Sequence, residues 1–239
     1  MRRNEKIKQL WIGIVCLLFM NFFVINMISG RSILSENKRL AVTSNYIIKE
    51  KQKISENKIA ITFDDGPHPV YTEKLLDGLK KRGVKATFFI TGKNAETYPQ
   101  IVKREQDEGH LIGNHTYSHM QLTASNRKKF KEELQKTNVI ITGITGQEVS
   151  FVRPPFGCWD KSLEDELNMF PVLWTIDPLD WCRDDAECIT RNVIAKTGDN
   201  SIILMHDQYE SSVMAAFQII DELQKKGYAF VTVEEILFD

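Results

Sequence analysis

The sequence has little of several features that would place it in a common class of proteins. It has only 4 cysteines in 239 residues, and its formal net charge is -1, with 31 basic residues against 32 acidic ones. This balance argues against a nucleic-acid partner, because proteins that bind nucleic acid usually carry a clear positive excess. No Gly-x-Gly-x-x-Gly motif follows the first predicted strand, which argues against dinucleotide binding. The 42% hydrophobic content is enough to fill the core of one substantial domain.

The cysteines are too few to form a disulfide framework. Cys16 lies within a long apolar run, and the other three are Cys158, Cys182 and Cys188. Three thiols allow at most one bridge within the chain. Cys182 and Cys188 are the pair closest in sequence, although three pairings exist. The alternative is that all three stay reduced.

The N-terminus combines a basic tail with a long uncharged run. Residues 1–9 carry four basic side chains against one acid, and residues 10–28 contain no charge. A helix over this run spans roughly 30 Å, the thickness of the hydrocarbon core of a bilayer. We therefore predict a cytoplasmic tail at 1–9 and a transmembrane anchor at 10–29. A cleaved signal peptide is the alternative, but residues 26–31 (NMISGR) offer a poor cleavage site.

The orientation of the anchor determines where the rest of the chain lies. The basic flank stays in the cytoplasm, so everything after Arg31 is expected outside the cell, on a single-pass protein of the cell membrane. Residues 30–57 are polar and rich in lysine, and we interpret them as a stalk. A first helix or strand packed on the domain is the alternative. Residues 58–239 form the predicted external domain.

Short apolar runs alternate with amphipathic stretches throughout the external domain. The predicted strands are residues 59–63, 86–90, 111–113, 150–153, 172–176, 202–205 and 229–233. The main predicted helices are residues 72–82, 95–108, 128–141 and 211–226. This alternation favours a parallel sheet with helices outside it. We predict an α/β fold, a distorted (β/α) barrel of about seven parallel strands.

The polar residues that can carry chemistry follow the predicted strands. They are Asp64, Asp65, His115, His119, Arg153, Asp177, Asp180, His206 and Asp207. Active sites of parallel α/β barrels are built at the C-terminal ends of the strands. Each residue alone has a structural explanation, but together they predict one site.

Two histidines and a carboxylate from this set can bind a divalent ion. Asp64 and Asp65 are adjacent carboxylates whose repulsion calls for a compensating cation, although a tight turn is the simpler explanation. His115 and His119 are four residues apart and share a face if they lie on a helical turn. One carboxylate with both imidazoles leaves open positions for water and substrate, which suits zinc or another first-row metal.

His206, directly after the sixth predicted strand, is a candidate proton donor. A buried structural histidine is the alternative. Asp180 is a plausible partner that orients His206 and keeps it protonated. Arg153 can similarly hold a neighbouring aspartate in its charged state.

With these residues in place, the sequence resembles the polysaccharide deacetylases that share the NodB homology domain, carbohydrate esterase family 4. The resemblance covers about Lys58 to Asp239, and all five characteristic motifs occur in order. They are residues 62–67 (TFDDGP), 115–119 (HTYSH), 153–157 (RPPFG), 177–181 (DPLDW) and 203–207 (ILMHD). The resemblance implies the family's fold, a distorted (β/α) barrel.

The resemblance also implies a role for individual motif residues. It implies Asp64 as catalytic base, oriented by Arg153, and His206 as catalytic acid, with Asp180 as its partner. The implied metal ligands are Asp65, His115 and His119, and the implied substrate-binding residues are Pro155, Phe156, Trp181 and Leu204. The backbone N–H of Phe156 would help to stabilise the oxyanion, and Phe156 stands where the family often has tyrosine.

The implied activity is metal-dependent hydrolytic N-deacetylation of a cell-surface polysaccharide. One divalent ion is expected, zinc first, with cobalt or another first-row metal as alternatives. An external domain on a bacterial envelope faces peptidoglycan, and the DPLDW motif is similar to that of peptidoglycan N-acetylglucosamine deacetylases. N-acetylglucosamine of peptidoglycan is therefore the first choice of substrate. N-acetylmuramic acid, chitin oligomers, exopolysaccharide and acetylated xylan are alternatives, because loop shape sets sugar choice.

A hypothesis from a different class is a catalytically inactive, membrane-tethered glycan-binding protein. An inactive relative would be expected to lose a ligand or the base. Here Asp64, Asp65, His115, His119 and His206 are all present. Another hydrolase of amides or esters using the same site is a further alternative. No protein partner is implied.

Overall fold

The computed structural model describes residues 57–238, which form a parallel β-sheet with helices packed around it. The strands are β1 Lys58–Asp64, β2 Thr87–Ile90, β3 Leu111–Asn114, β4 Phe151–Val152, β5 Phe170–Pro171, β6 Ile202–His206 and β7 Ala229–Phe230. The helices are α1 Tyr71–Arg82, α2 Gly92–Thr97, α3 Pro99–Asp107, α4 Arg127–Thr145, α5 Ser162–Leu167, α6 Ala186–Lys196, α7 Glu210–Lys225 and α8 Val233–Phe238. Short 3-10 turns lie at Pro155–Gly157 and Asp180–Cys182.

The sheet is an α/β half-barrel of parallel strands. Its strands are hydrogen-bonded in the order β5-β4-β3-β2-β1-β6, and β7 pairs with the start of β1. Beyond β5 the chain crosses to the other edge, where Ile176 forms an isolated parallel bridge with Ile203 of β6. The α/β class and the seven parallel strands are confirmed. The predicted barrel is a half-barrel, because β5 and β6 are not paired strand to strand within residues 57–238.

The register of the sheet brings the strand ends to one level. Asp64 lies opposite His206 on one side and Phe89 on the other. Asn114, at the end of β3, lies opposite Val152 of β4. The loops that follow β1, β3, β4 and β6 therefore leave the sheet at the same rim, where parallel α/β folds place their sites.

The burial of β1 explains its composition. Every residue of β1 after Lys58 is buried, as expected for a central strand covered on both faces. Outside it, α1 packs Leu75, Leu76 and Leu79 into the core and ends at Gly83. Gly83 has a φ of 64°, a left-handed conformation that glycine adopts without steric cost.

Three predicted elements differ from the structure, and one is the strand predicted at 229–233, which ends at Phe230, with α8 beginning at Val233. The helix predicted at 95–108 is divided into α2 and α3, because Tyr98 leaves the helical region (φ -126°, ψ 56°) before Pro99, which begins the second helix. The strand predicted at 172–176 is instead the two-residue β5 followed by the bridge at Ile176. This segment changes partner from β4 to β6, so no single strand can pair along all of it.

The N-terminal predictions lie outside the described residues. They are the cytoplasmic tail at 1–9, the transmembrane anchor at 10–29 and, except for Asn57, the stalk at 30–57. Between residues 57 and 238, none of the helices combines the length and the apolar character needed to cross a bilayer.

The three cysteines of the domain carry free thiols. The Cys182 thiol donates a hydrogen bond to the carbonyl of Leu179 at 3.2 Å, and the Arg183 guanidinium lies 3.6 Å from Cys188 Sγ. The Cys182–Cys188 bridge considered from the sequence is therefore not formed in this structure.

Candidate active site

Asp64, the last residue of β1, is held by a fully buried arginine. Arg153 Nη1 donates to Asp64 Oδ1 at 2.8 Å, and its other donors reach the carbonyls of Val172 at 3.0 Å and Leu173 at 3.1 Å. A buried ion pair is tolerated when its remaining polar atoms are satisfied in this way. The second oxygen of Asp64, Oδ2, lies 3.8 Å from His115 Nε2. One oxygen of Asp64 is thus fixed while the other faces the neighbouring histidine.

Asp65, His115 and His119 come together as the sequence predicted. Asp65 Oδ1 lies 3.4 Å from Nε2 of each histidine, and one ligand atom from each of the three residues lies within 4.8 Å of the others. Asp65 Oδ1 is buried and has no hydrogen-bond partner. Buried polar atoms are normally paired, so a cation bound by all three residues would satisfy this oxygen. The donor set of two imidazoles and one carboxylate fits zinc or another first-row metal ion.

The electrostatics of Asp65 and His119 favour the protonation states that bind metals. Burial opposes ionisation of Asp65, but the neighbouring imidazoles, His115 foremost, outweigh it and lower the pKa of its carboxyl. Burial lowers the pKa of His119 below its ordinary value, despite the nearby Asp65. A carboxylate and a neutral imidazole are the forms that coordinate a cation.

The two histidines lie in a loop and not on the helical turn considered from the sequence. Thr116 and His119 have left-handed backbones, with φ of 62° and 58°. The loop brings the rings of His115 and His119 to 4.9 Å between centroids. His115 Nδ1 lies 2.6 Å from the carbonyl oxygen of Arg153, which assigns the proton to Nδ1 and leaves Nε2 free to bind a metal. A spacing of four residues lets two histidines share one metal ion on a helical turn or in a loop.

His206 ends β6 and is held by a single carboxylate. Its Nδ1 lies 2.8 Å from Asp180 Oδ1, and its backbone N–H donates to Asp180 Oδ2 at 2.8 Å. Burial alone would lower the pKa of His206, but Asp180, with Asp64 and Asp65 nearby, raises it to about 9. His206 is therefore protonated at neutral pH and can donate a proton.

A cavity of about 410 Å³ opens at the rim over these groups. Its charged and imidazole lining is Asp64, Asp65, His115, His119, Asp177 and His206, and its other walls are Pro154, Phe156, Trp174, Leu179, Trp181, Leu204 and Tyr209. Apolar walls around a few convergent polar groups are typical of small-ligand sites.

Three of the four predicted substrate contacts line this cavity. Phe156, Trp181 and Leu204 do so, whereas Pro155 is buried and its neighbour Pro154 lines the wall instead. Sequence reasoning missed Trp174, Leu179 and Tyr209 as lining residues. Their signal was apolar and aromatic side chains within or just beside the motifs, but the sequence does not show which way a loop turns them.

The backbone of Phe156 is positioned to donate a hydrogen bond. Phe156 sits in the 3-10 turn after β4 with a left-handed φ of 61°. Its N–H makes no hydrogen bond to the described part of the chain, while its ring packs edge-on against His119 at 4.9 Å. An N–H left free beside the triad can stabilise negative charge that develops on a bound carbonyl.

Comparison with known proteins agrees with this geometry. Residues 51–172 match the polysaccharide deacetylase family. A peptidoglycan-N-acetylglucosamine deacetylase of Bacillus cereus is 42% identical over 186 residues, which are 74% of this chain and 66% of that protein. The peptidoglycan-N-acetylmuramic acid deacetylase PdaC of Bacillus subtilis is 39% identical over 182 residues, 76% of this chain and 39% of that protein. The chain thus spans less than two thirds of the length of these relatives.

Solved structures show the same fold. The structure of PdaC from Bacillus subtilis matches with a TM-score of 0.74 at 39% identity, covering 77% of this chain and 91% of that one. A CE4 family pseudoenzyme from Bacillus anthracis matches with a TM-score of 0.72 at 29% identity, covering 76% of this chain and 66% of that one.

Proposed function

Because the chain belongs to the polysaccharide deacetylase family, a family of hydrolases, we propose that it removes acetyl groups from N-acetylated sugars of peptidoglycan and releases acetate. One observation carries the proposal. A carboxylate held by arginine, a two-histidine-one-carboxylate triad and a histidine held by aspartate line one cavity. These are the base, the metal site and the acid that hydrolysis of an amide requires.

The residues then divide the proton transfers between them. Asp65, His115 and His119 would hold a divalent ion, with zinc as first choice and cobalt next, and such an ion would supply a Lewis acid for the carbonyl and the attacking water. Asp64 accepts the proton of the attacking water while Arg153 holds its other oxygen. The C–N bond of the acetamide breaks as His206 gives its proton to the departing amine.

The cavity walls stabilise and orient the reacting group. The Phe156 N–H donates to the oxyanion, and one such donor is typically worth about 3 to 4 kcal/mol. Leu204 and Trp181 line the same cavity and offer an apolar surface to the acetyl methyl and the sugar ring. The groups that act on the amide therefore come from the ends of β1 and β6 and from the loops after β1, β3 and β4.

N-acetylglucosamine is our first choice of sugar. The relatives named for this activity, and the DPLDW motif at residues 177–181, support it. PdaC is named for N-acetylmuramic acid and makes that sugar the nearest alternative. Chitin oligomers, exopolysaccharide and acetylated xylan offer other acetyl groups to the same chemistry.

The proposed location rests on the N-terminal sequence. We propose that residues 10–29 anchor the chain in the cell membrane and that the catalytic domain faces the cell wall outside. The uncharged run after a basic tail supports this topology. A substrate in the wall would then lie within reach of a tethered domain.

The runner-up function is glycan binding without turnover, since the family includes a pseudoenzyme. The complete set of Asp64, Asp65, His115, His119 and His206 in one cavity favours the enzyme.

The test is acetate release by the full chain, purified in detergent, from peptidoglycan and from chitin oligomers. The protein is stripped of metal and assayed with and without added zinc or cobalt, beside an Asp64→Asn variant. We expect metal-dependent release that this variant loses by at least about 100-fold. Binding of glycan without acetate release by the metal-loaded wild type would favour the glycan-binding alternative.

A further inference from the structure

The metal ligand Asp65 sits in an unfavourable backbone conformation that needs support. Its φ is 73°, in the left-handed region that non-glycine residues rarely adopt. Residues 65–70 form the short turn that joins β1 to α1. A ligand on such a turn keeps its position only if the surrounding contacts determine it.

Two carboxamides hold the Asp65 carbonyl from different parts of the fold. Asn94 Nδ2, on α2, donates to the Asp65 carbonyl oxygen at 2.8 Å, and Gln208 Nε2, in the loop after β6, donates to the same oxygen at 2.8 Å. The next carbonyl, that of Gly66, accepts from the Thr91 N–H at 3.1 Å. The peptide after the ligand is therefore fixed from both sides.

Asp207 supports the same turn from within. It is fully buried, and a Cβ on Gly66 would lie 2.5 Å from its Oδ2, so the turn packs directly on its carboxyl group. The Thr72 hydroxyl donates to Asp207 Oδ2. The backbone N–H of His68 donates to Thr72 Oγ1 at 2.7 Å. A chain of hydrogen bonds thus connects Asp207 through Thr72 to His68 in this turn.

We propose that Asp207, with Thr72, Asn94 and Gln208, forms a set of positioning residues that fix Asp65 for metal binding. The inference rests on the metal site of the proposed function and extends it to residues outside the set of three metal ligands. Groups that orient a metal ligand typically change metal affinity by about 10- to 100-fold when they are removed.

The test measures metal affinity directly. Full-length protein is stripped of metal and titrated with Zn²⁺ against a chromophoric chelator, and with Co²⁺ while its absorption spectrum is recorded. Asp207→Ala is expected to raise the Kd for Zn²⁺ by about 10- to 100-fold. Asp207→Asn should keep most of the affinity, because its amide oxygen can still accept from Thr72. Gln208→Ala, which leaves the core intact, should weaken binding in the same direction.

The matched control separates positioning from stability. Thr72→Val removes a buried hydroxyl next to Asp207, and Thr190→Val removes a buried hydroxyl on α6 that bonds Gln218. Both should lower the melting temperature, but only Thr72→Val should raise the Kd. Equal Kd values for wild type, Asp207→Ala and Gln208→Ala would overturn the inference and leave the proposed function intact. A wild type that binds no metal would overturn both.

Discussion

Asp180 holds His206 through two hydrogen bonds, one with its imidazole and one with its backbone N–H. The carboxylate is the main cause that raises the pKa of His206 to about 9, against the effect of burial. The proposed reaction needs protonated His206, so acetate release should persist up to about pH 9 and fall above it.

Asp180→Asn is expected to move the alkaline limb of the pH–activity profile, the fall in activity at high pH, to lower pH. The amide keeps the size of the side chain but removes the charge, so burial then dominates and the pKa of His206 falls toward or below its ordinary value of 6.5. At pH 8 we expect kcat/KM to drop by about 100-fold or more. The check is a pH profile of kcat/KM for both proteins. An alkaline limb in the same place would contradict the role given to Asp180.

Glu105 shows the cost of a buried acid without a partner. It lies on α3 with no exposed surface, and neither of its oxygens makes a hydrogen bond. Burial, followed by repulsion from Asp207, raises its pKa well above the ordinary value of 4.5. Because the folded pKa is raised, the unfolded chain loses this proton first. Stability therefore declines as the pH rises above 4.5.

Glu105→Leu should remove this decline and stabilise the protein. Relieving an unsatisfied buried group is worth about 1 to 3 kcal/mol, and the gain should grow between pH 5 and pH 8. Urea unfolding of both proteins at the two pH values measures it. Asp107→Asn, an exposed acid on the same helix, serves as the control and should change little.

The sequence predicted which residues form the site better than it predicted their backbone conformations and their neighbours. The spacing of Asp64, Asp65, His115, His119 and His206 relative to the predicted strands was enough to predict a shared rim, because parallel strands end at one edge. It could not show that Asp65 and His119 have left-handed backbones or that Pro154 replaces Pro155 at the wall. These details depend on loop contacts between residues far apart in the chain.

At the scale of elements, two helix glycines have opposite surroundings. Gly78 lies where α1 meets α7, and a Cβ there would lie 2.0 Å from Phe217 Cε1. The Phe217 ring is also held by Arg82, 4.6 Å from its centroid. Gly143 lies within α4 and has no atom within 4 Å of such a Cβ.

The same substitution should therefore act in opposite directions at the two sites. Gly143→Ala is expected to stabilise by about 0.5 to 1 kcal/mol through helix propensity alone. Gly78→Ala gains the same propensity but forces the Phe217 ring to move, so we expect a net loss of about 1 to 3 kcal/mol. Urea denaturation of the two variants measures this. A stabilised Gly78→Ala would show that α1 and α7 adjust easily.

The predicted elements were found where periodicity or a stop signal was strong. The helix at 211–226 matches α7 Glu210–Lys225 closely, because its apolar stripe and Gly227 mark it. Helices α5, α6 and α8 were not predicted; α5 and α8 have only six residues, too few for a clear periodicity, but α6 has 11 residues and was missed all the same. The helix break before Pro99 could be predicted locally, because the residue before a proline avoids the helical conformation. The loss of the strand predicted at 172–176 could not, because it depends on the change of pairing partner from β4 to β6.

At the scale of the whole molecule, the metal triad links two distant loops. Asp65 follows β1 and the histidines follow β3, so a bound ion joins segments that are separate in the unfolded chain. Ligand binding to the folded state alone stabilises it by about 2.7 kcal/mol when free metal is 100 times its Kd.

Metal removal should therefore lower the melting temperature of the protein, and added zinc should restore it. His119→Ala removes one ligand from the partly exposed side of the triad and should abolish the zinc-dependent increase in melting temperature. Differential scanning calorimetry with and without chelator measures both. A zinc-dependent increase that persists in His119→Ala would place the ion elsewhere.

The left-handed residues of the motif loops have a consequence for engineering. Five residues of these loops adopt a positive φ, which glycine adopts at a lower steric cost: Asp65, Thr116, His119, Phe156 and Leu179. A screen for heat tolerance alone would therefore favour glycine at positions such as Leu179, relieving the backbone while loosening the cavity. Selection for thermostability would favour glycine at these positions, whereas selection for turnover would favour the side chains that line the cavity.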